Sequence, residues 1–312
     1  MTDFAPIPFQ SAVQSENAAK QALPVWYRLD ANTQDLQMVL HETIGLDALT
    51  TRALTAEETR PRCTPHGDGA LIILRGINTE PGADPEDMVS LRIWVDGDRV
   101  VTYQYRRLGA ADDLARELSE GAGPKTPGDF LVVLADRLTD RMQDVVDEID
   151  ASLEALENAQ SEKPVPELRH AITEHRRKLV VLRRFVAPQR DALDVLVAEE
   201  FTWQTEIQER RLKDVIDRVT RLVEQLDTLH LRASIMQDFL SVRVTERLNR
   251  TMLLLSVVAG VFLPLTFVSG LLGMNVGGIP GASAPYGFLA ITGSLILVGV
   301  VEFFVIWRLR LL

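Results

Sequence analysis

The tripeptide Gly273-Met274-Asn275 stands inside "GLLGMNVGGIPG" (270–281), between two long apolar runs. Its asparagine brings a neutral amide oxygen. A ring of such oxygens can accept hydrogen bonds from the waters around a cation without stripping them. That suits an ion that dehydrates reluctantly, as Mg²⁺ does. Three residues make a weak signature alone; their position at the end of an apolar run makes them informative. Every third or fourth residue from Asp238 toward that tripeptide gives Thr245, Asn249, Met252, Ser256, Ala259, Leu263, Thr266 and Gly270. The stripe is polar or small at several turns of a segment otherwise rich in Leu, Val and Phe. On a membrane helix such a face normally packs against another helix. Repeated around a symmetric ring, the same face would line a water path. Pro264 in "VFLPLTF" would bend the helix and free a carbonyl near the stripe.

The elements that must position these residues follow from charge and periodicity. The chain has 312 residues, 46% of them hydrophobic, and a formal net charge of −11. From Thr251 to Val301 no Asp, Glu, Lys, Arg or His occurs, so all 33 Lys and Arg and all 44 Asp and Glu lie elsewhere. An acidic soluble body joined to a C-terminal membrane segment is expected. Met252 to Leu272 and Phe288 to Trp307 are each long enough, at about 30 Å, to cross the hydrocarbon core. Arg243, Arg247 and Arg250 precede the first, and Arg308 and Arg310 follow the second. Basic residues at both outer ends place both termini in the cytoplasm and the loop outside. The start "MTDFAPIPFQ" has no basic or apolar leader character. Surplus acid argues against nucleic acid and favours cations, although it is also the mark of a solvated surface.

Residues 1 to about 125 read as α/β. Strands are predicted at 24–30, 69–78, 88–96 and 99–107, the last two joined by a hairpin around Asp96-Gly97-Asp98. "DALTTRALTAEETRPR" predicts a helix stopped by Pro61. From Thr126 the period becomes helical. One stripe runs through Leu131, Leu134, Leu138, Met142, Val145, Ile149, Leu153 and Leu156, broken by Pro164 and Pro166. A second runs through Leu168, Ile172, His175, Leu179, Leu182 and Val186, interrupted by Pro188. A third runs from Leu212 through Val215, Val219, Leu222, Leu226, Leu229, Ala233 and Met236 to Leu240. Its heptad spacing reads as coiled-coil packing between several copies. No helix breaker falls between Arg190 and Gly260, so one helix could enter the membrane from the body.

Other chemistry is sparse. Glu302, inside the second apolar run, could carry protons, snorkel, or pair with Arg247 or Arg250. His170 and His175 are five apart, off one helical face and without a third ligand, which disfavours a zinc site. One cysteine, Cys63, excludes an intramolecular disulfide and a Cys-rich zinc knuckle. "GAGPKT" (121–126) lacks the glycines of a phosphate loop and reads as a turn. No Ser/His/Asp constellation or HExxH occurs, and no enzyme or bound cofactor is indicated.

The segment "NRTMLLLSVVAGVFLPLTFVSGLLGMN" (249–275) resembles the pore helix and signature of the CorA-type divalent-cation transporters. "VGGIPG" (276–281), "EETRPR" (57–62), "LRGIN" (74–78) and "VAPQRD" (186–191) resemble their ZntB branch. The resemblance implies a CorA-like homopentameric funnel in the inner membrane. Each subunit would have an α/β cytoplasmic domain (1–125), a helical hairpin and stalk (126–250) and a membrane domain (251–312) with two transmembrane helices. It implies that Gly273, Met274 and Asn275 form the selectivity filter. Thr266, Leu263, Ala259, Ser256 and Thr245 would line the pore, with Met252 and Leu255 as a hydrophobic gate and Asn249 below. Asp238 matches an acid of a regulatory metal site. The outer loop lacks the acidic residues often found in that family, so loop carboxylates cannot steer cations here. Zinc, and coupling to protons, are implied by resemblance alone. Zn²⁺ prefers nitrogen and sulfur ligands, and the stripe offers amides, hydroxyls and one thioether ring. A Mg²⁺/Co²⁺/Ni²⁺ channel gated by cytoplasmic metal, and a membrane-anchored sensor without transport, are the rival readings.

Overall fold

A computed structural model of the chain describes residues 6–9, 24–57, 60–274 and 284–308. Strands β1 (Ile7–Pro8) and β2 (Val25–Asp30) come first. Helix α1 (Leu36–Met38) runs into a π-turn (Val39–Thr43), followed by α2 (Ala48–Leu54). Strands β3 (Arg62–His66), β4 (Gly69–Gly76), β5 (Val89–Val95) and β6 (Arg99–Gln104) precede α3 (Gly109–Ser119). Four long helices complete the chain: α4 (Pro127–Asn158), α5 (Val165–Ala198), α6 (Glu206–Leu272) and α7 (Gly287–Arg308). The chain divides into two compact units, Met1–Met236 and Gln237–Leu312.

The six strands form one sheet in the order β1-β2-β6-β5-β4-β3, antiparallel except for β2 beside β6. The hairpin expected around Asp96-Gly97-Asp98 is present: Asp96 N donates to Arg99 O at 3.0 Å, and Asp96 Oδ1 accepts from Arg99 N at 3.1 Å. Both sheet faces are covered, which explains why β4 and β5 are apolar runs rather than alternating ones. One face places Leu29, Leu71, Trp94, Val101 and Tyr103 against Val39, Leu40, Ile44 and Leu54. The other carries Trp26, whose ring lies 4.8 Å from Phe130 of α4 and whose indole N–H donates to Thr102 Oγ1 at 2.8 Å.

Three expectations change. The helix expected to be stopped by Pro61 ends already at Leu54, and β3 follows it. Asp47 caps α2 by accepting from Leu49 N and Thr50 N. Thr55 closes the helix by donating its hydroxyl to Thr51 O at 3.0 Å. Pro65 sits in β3 because β3 is an edge strand, where a missing donor costs no ladder bond. Second, Pro188 does not end α5, which continues to Ala198. Val186, Gln189, Ala192 and Leu193 around it are all buried, and that packing outweighs one missing helix bond. The real break is at 199–205. There Thr202 N donates to Asp68 Oδ1 at 3.0 Å and Trp203 Nε1 to Asp68 O at 2.7 Å, tying the α5–α6 turn to the β3–β4 hairpin.

The third change concerns the heptad stripe of α6. From Leu212 to Met236 every member is already buried within the single chain. Polar clips hold α6 to α4 and α5. Arg218 pairs with Asp136 and Asp140, Arg232 with Asp150 at 3.0 Å, and Arg183 of α5 with Asp227. Gln143 Nε2 donates to Gln225 Oε1 at 2.8 Å. The seam is therefore a subunit core, not a contact between copies. In α4 the buried residue is Val146 and not Val145. The "GAGPKT" segment is a helix connection, as expected: Gly121 takes φ 74° after α3, and Thr126 Oγ1 accepts from Asp129 N at 3.1 Å to cap α4.

Candidate functional site

α6 has 67 residues, a contour of about 100 Å at 1.5 Å per residue. Its C-terminal part and α7 are long and apolar enough to cross a membrane. At about 100° per residue, Asp238, Thr245, Asn249, Met252, Leu255, Ser256, Ala259, Leu263 and Thr266 fall within an arc of about 120°. All nine are exposed in the single chain, with Met252 at 65%, Leu255 at 61% and Leu263 at 69%. The helix thus presents amide, hydroxyl, small and apolar side chains on one face, in bands.

Local hydrogen bonding decides what those groups can do. The Thr245 hydroxyl donates to Ser241 O at 3.0 Å, which uses its proton and leaves oxygen lone pairs as acceptors. Acceptors suit the hydrogens of water bound to a cation. Pro264 lies inside α6 and has no N–H, so the carbonyl of Gly260 loses its helical donor. At the helix end, Gly273 N donates to Ser269 O at 2.9 Å, and Met274 follows half-exposed. Asn275, the residue expected to carry selectivity, lies outside the described residues.

The remaining sequence-predicted groups do not join this arc into a metal centre. Among the described residues no group of three His, Cys, Asp or Glu could hold a metal ion. His175 is half-buried, and burial followed by the nearby Lys178 charge lowers its proton affinity. His170 is exposed. The Cys63 thiol is pushed up to about 12, first by burial and then by Glu199, so it is no thiolate ligand near neutral pH. Glu302 lies on α7, partly exposed. Its Oε2 is buried with no hydrogen-bond partner, and among the described residues no ion pair joins it to Arg247 or Arg250.

One surface was missed at the sequence level. Leu231, Ile235, Phe239 and Val242 are 61%, 60%, 51% and 54% exposed on α6. Their spacing of four, four and three is helical and out of phase with the buried seam. The signal was present but masked by the stronger heptad stripe.

An α/β body followed in the chain by a long helix with a banded polar face and a second apolar helix is a recognisable order of elements. The family model of the CorA-like Mg²⁺ transporter proteins matches residues 22–309. The chain belongs to the CorA family. A divalent cation transporter of Pseudomonas aeruginosa, CmaX, is 40% identical over 289 residues, covering 92% of this chain and 86% of CmaX. A zinc transport protein, ZntB, of Pectobacterium atrosepticum is 35% identical over 294 residues, covering 94% and 88%. The solved structure of full-length CmaX superposes with a TM-score of 0.80 at 38% identity, over 95% of this chain and 92% of that one. CorA-family membership gives the α/β body, the long helix and the two C-terminal apolar helices their common role. This CorA-family chain is an ion transporter for divalent cations and not an enzyme.

Proposed function

We propose that five copies of the chain surround an axial path through which hydrated divalent metal passes, with Zn²⁺ as the cargo. Support for the path comes from one observation above the others. The small and polar arc from Thr245 to Thr266 is continuous on one helix, exposed in the single chain, and leads to Gly273-Met274. In lipid, Asn249, Ser256 and Thr266 gain by facing water or one another, and a symmetric ring provides both. The outward stripe of Leu231, Ile235, Phe239 and Val242 supports self-assembly: apolar side chains exposed before the membrane segment need a cover, and a second copy offers the same stripe.

Within that ring, Asn275 is the filter residue and Met252 with Leu255 the narrow apolar gate. The α/β domain is 1–125, the stalk 126–250 and the membrane domain 251–312. The arginines at 243, 247, 250, 308 and 310 support cytoplasmic termini and an inner-membrane location. Glu302, with an unpartnered Oε2, is the proton-linked group if transport is coupled. Zinc rests on the ZntB relatives and the ZntB-like segments. A Mg²⁺/Co²⁺/Ni²⁺ channel gated by cytoplasmic metal is the second reading. The exposed Asp238 on the same arc favours it.

The test is metal uptake by proteoliposomes loaded with a zinc- or magnesium-sensitive dye, with and without a proton gradient. Zinc flux above magnesium flux is expected, with discrimination lost in Asn275→Ala while the assembly survives. Normal selectivity in that variant removes the filter assignment. Absence of flux for any divalent ion from intact assemblies leaves the anchored-sensor reading.

A further inference from the structure

A cleft of about 650 Å³ opens on the α/β body between the end of α2, strands β4 to β6 and α5. Four arginines line it: Arg75, Arg92, Arg106 and Arg184. Arg92 is only 3% exposed. Its Nη2 donates to the carbonyls of Ala56 and Glu57 at 2.6 and 3.2 Å, while Nε and Nη1 have no hydrogen-bond partner. Arg75 lies 4.1 Å above the Phe185 ring and donates through Nη1 to Met88 O at 2.7 Å. Arg106 and Arg184 are exposed at the rim. The buried acid of the cleft, Glu86, is engaged by Arg177 at 3.1 Å and Lys178 at 3.8 Å, neither of which lines the cleft. Glu57 and Asp87 are exposed, and no ion pair joins either to Arg92, Arg106 or Arg184 among the described residues.

Burying guanidinium groups together is costly unless an anion offsets them. The strain registers in their proton affinity. Arg75 is lowered first by burial, then by the charges of Arg92 and Arg184, and Arg92 is lowered mainly by burial. Guanidinium forks match phosphate and carboxylate oxygens. The cleft is of small-molecule size and carries an apolar wall at Val181 and Phe185. Two of the ZntB-like segments meet at this place. Arg75 belongs to "LRGIN", and its backbone N–H donates at 2.7 Å to Gln189 Oε1 of "VAPQRD". Glu57, the first residue of "EETRPR", lies on the lining. The transport reading gives none of the three segments a task.

We propose that this cleft binds a small phosphate-bearing organic anion, its phosphate held by the arginine cluster and its apolar part against Phe185 and Val181. The proposal does not rest on the pore reading, so either can fail alone. The experiment is titration of the full-length protein in detergent, by calorimetry and thermal unfolding, with AMP, inorganic phosphate and sodium sulfate at matched ionic strength. Saturable AMP binding that raises the unfolding temperature is expected, tighter than inorganic phosphate. Arg106→Gln and Arg184→Gln change exposed residues that need not disturb folding. Each should weaken AMP about tenfold. Arg92→Gln should abolish binding. Equal stabilisation by sulfate, or AMP binding no tighter than inorganic phosphate, overturns the organic ligand. Unchanged AMP affinity in the Arg106→Gln/Arg184→Gln double variant overturns the site. If AMP does not bind and the double variant loses its oligomeric state, the cleft takes carboxylates from a neighbouring copy, and the proposal falls.

Discussion

Two apolar stripes on α6 have opposite consequences when changed. Leu222 is 0% exposed, in the seam closed within one chain. Leu222→Ala removes buried methyl groups and leaves a cavity, at a cost of about 3–4 kcal/mol. At about 2–4 °C per kcal/mol for a domain of this size, the body should melt about 6–16 °C lower. Ile235 and Phe239 are 60% and 51% exposed, so the lone chain loses little when either becomes polar, within about 0.5 kcal/mol. Their cost appears on assembly. Covering the exposed half of a Phe of about 200 Å² removes about 100 Å² from water, or about 2.5 kcal/mol. Ile235 adds about 1–2 kcal/mol by the same reasoning. Ile235→Asp with Phe239→Asp should therefore weaken each subunit contact by about 4 kcal/mol, about a thousandfold, before the cost of burying charge. Native mass spectrometry against protein concentration, paired with thermal unfolding, separates the two. Leu222→Ala should melt early yet assemble at low temperature. The aspartate pair should run as a monomer and melt where the dissociated natural chain melts. An aspartate pair that keeps its assembly at low micromolar concentration refutes the outward stripe as a contact surface. A Leu222→Ala protein that dissociates without melting earlier refutes the intrachain seam.

At the gate, Met252→Asn or Leu255→Gly should wet a narrow apolar neck and raise cation flux in liposomes at matched assembly content. Unchanged or lower flux in both moves the gate to Asn249 or Leu263. Asp68 offers a pH test. Hydrogen bonds from Thr202, its hydroxyl first and then its N–H, hold the Asp68 carboxyl below the ordinary value of 3.8. A depressed folded value means that its stabilisation is full above 3.8 and is lost as pH falls through the folded value. Asp68→Asn should therefore lower the unfolding temperature at neutral pH, and the gap to the natural protein should narrow as pH falls below about 4. A gap that stays constant down to the acid limit removes the carboxylate from the account.

The parts legible in the sequence were those with one dominant period. β4, β5 and β6 are apolar runs between turn residues, and Asp96 to Arg99 is a hairpin by residue type alone. β3 was hidden because Pro65, His66 and Gly67 look like a turn; only pairing with β4 makes an edge strand of Arg62–His66. Pro188 misled in the other direction, since its neighbours pack well enough to hold α5 together. The heptads from Leu212 to Met236 announce a buried face but not what buries it. The residues of α4 and α5 that clip α6 lie 44 to 82 positions away in sequence, and a second copy of the chain would leave the same pattern. The chemistry of the arc from Thr245 to Thr266 could be read residue by residue, because a helix fixes which side chains share a face. The arginine cleft could not. Arg75, Arg92, Arg106 and Arg184 come from four segments that only the sheet and α5 bring together.

The intrachain seam also bears on how the protein is made. The buried seam on α6 ends at Leu240, and the first membrane-spanning stretch starts only twelve residues later, at Met252. During synthesis the sheet, α4 and α5 leave the ribosome before the apolar helix face that α6 supplies to cover them. The same helix delivers that face and then the hydrophobic stretch that targets the chain to the bilayer. Completion of the body and capture by the membrane are therefore nearly simultaneous events in the life of the nascent chain, and a stall or truncation before the seam is complete would leave an aggregation-prone half-core rather than a soluble domain.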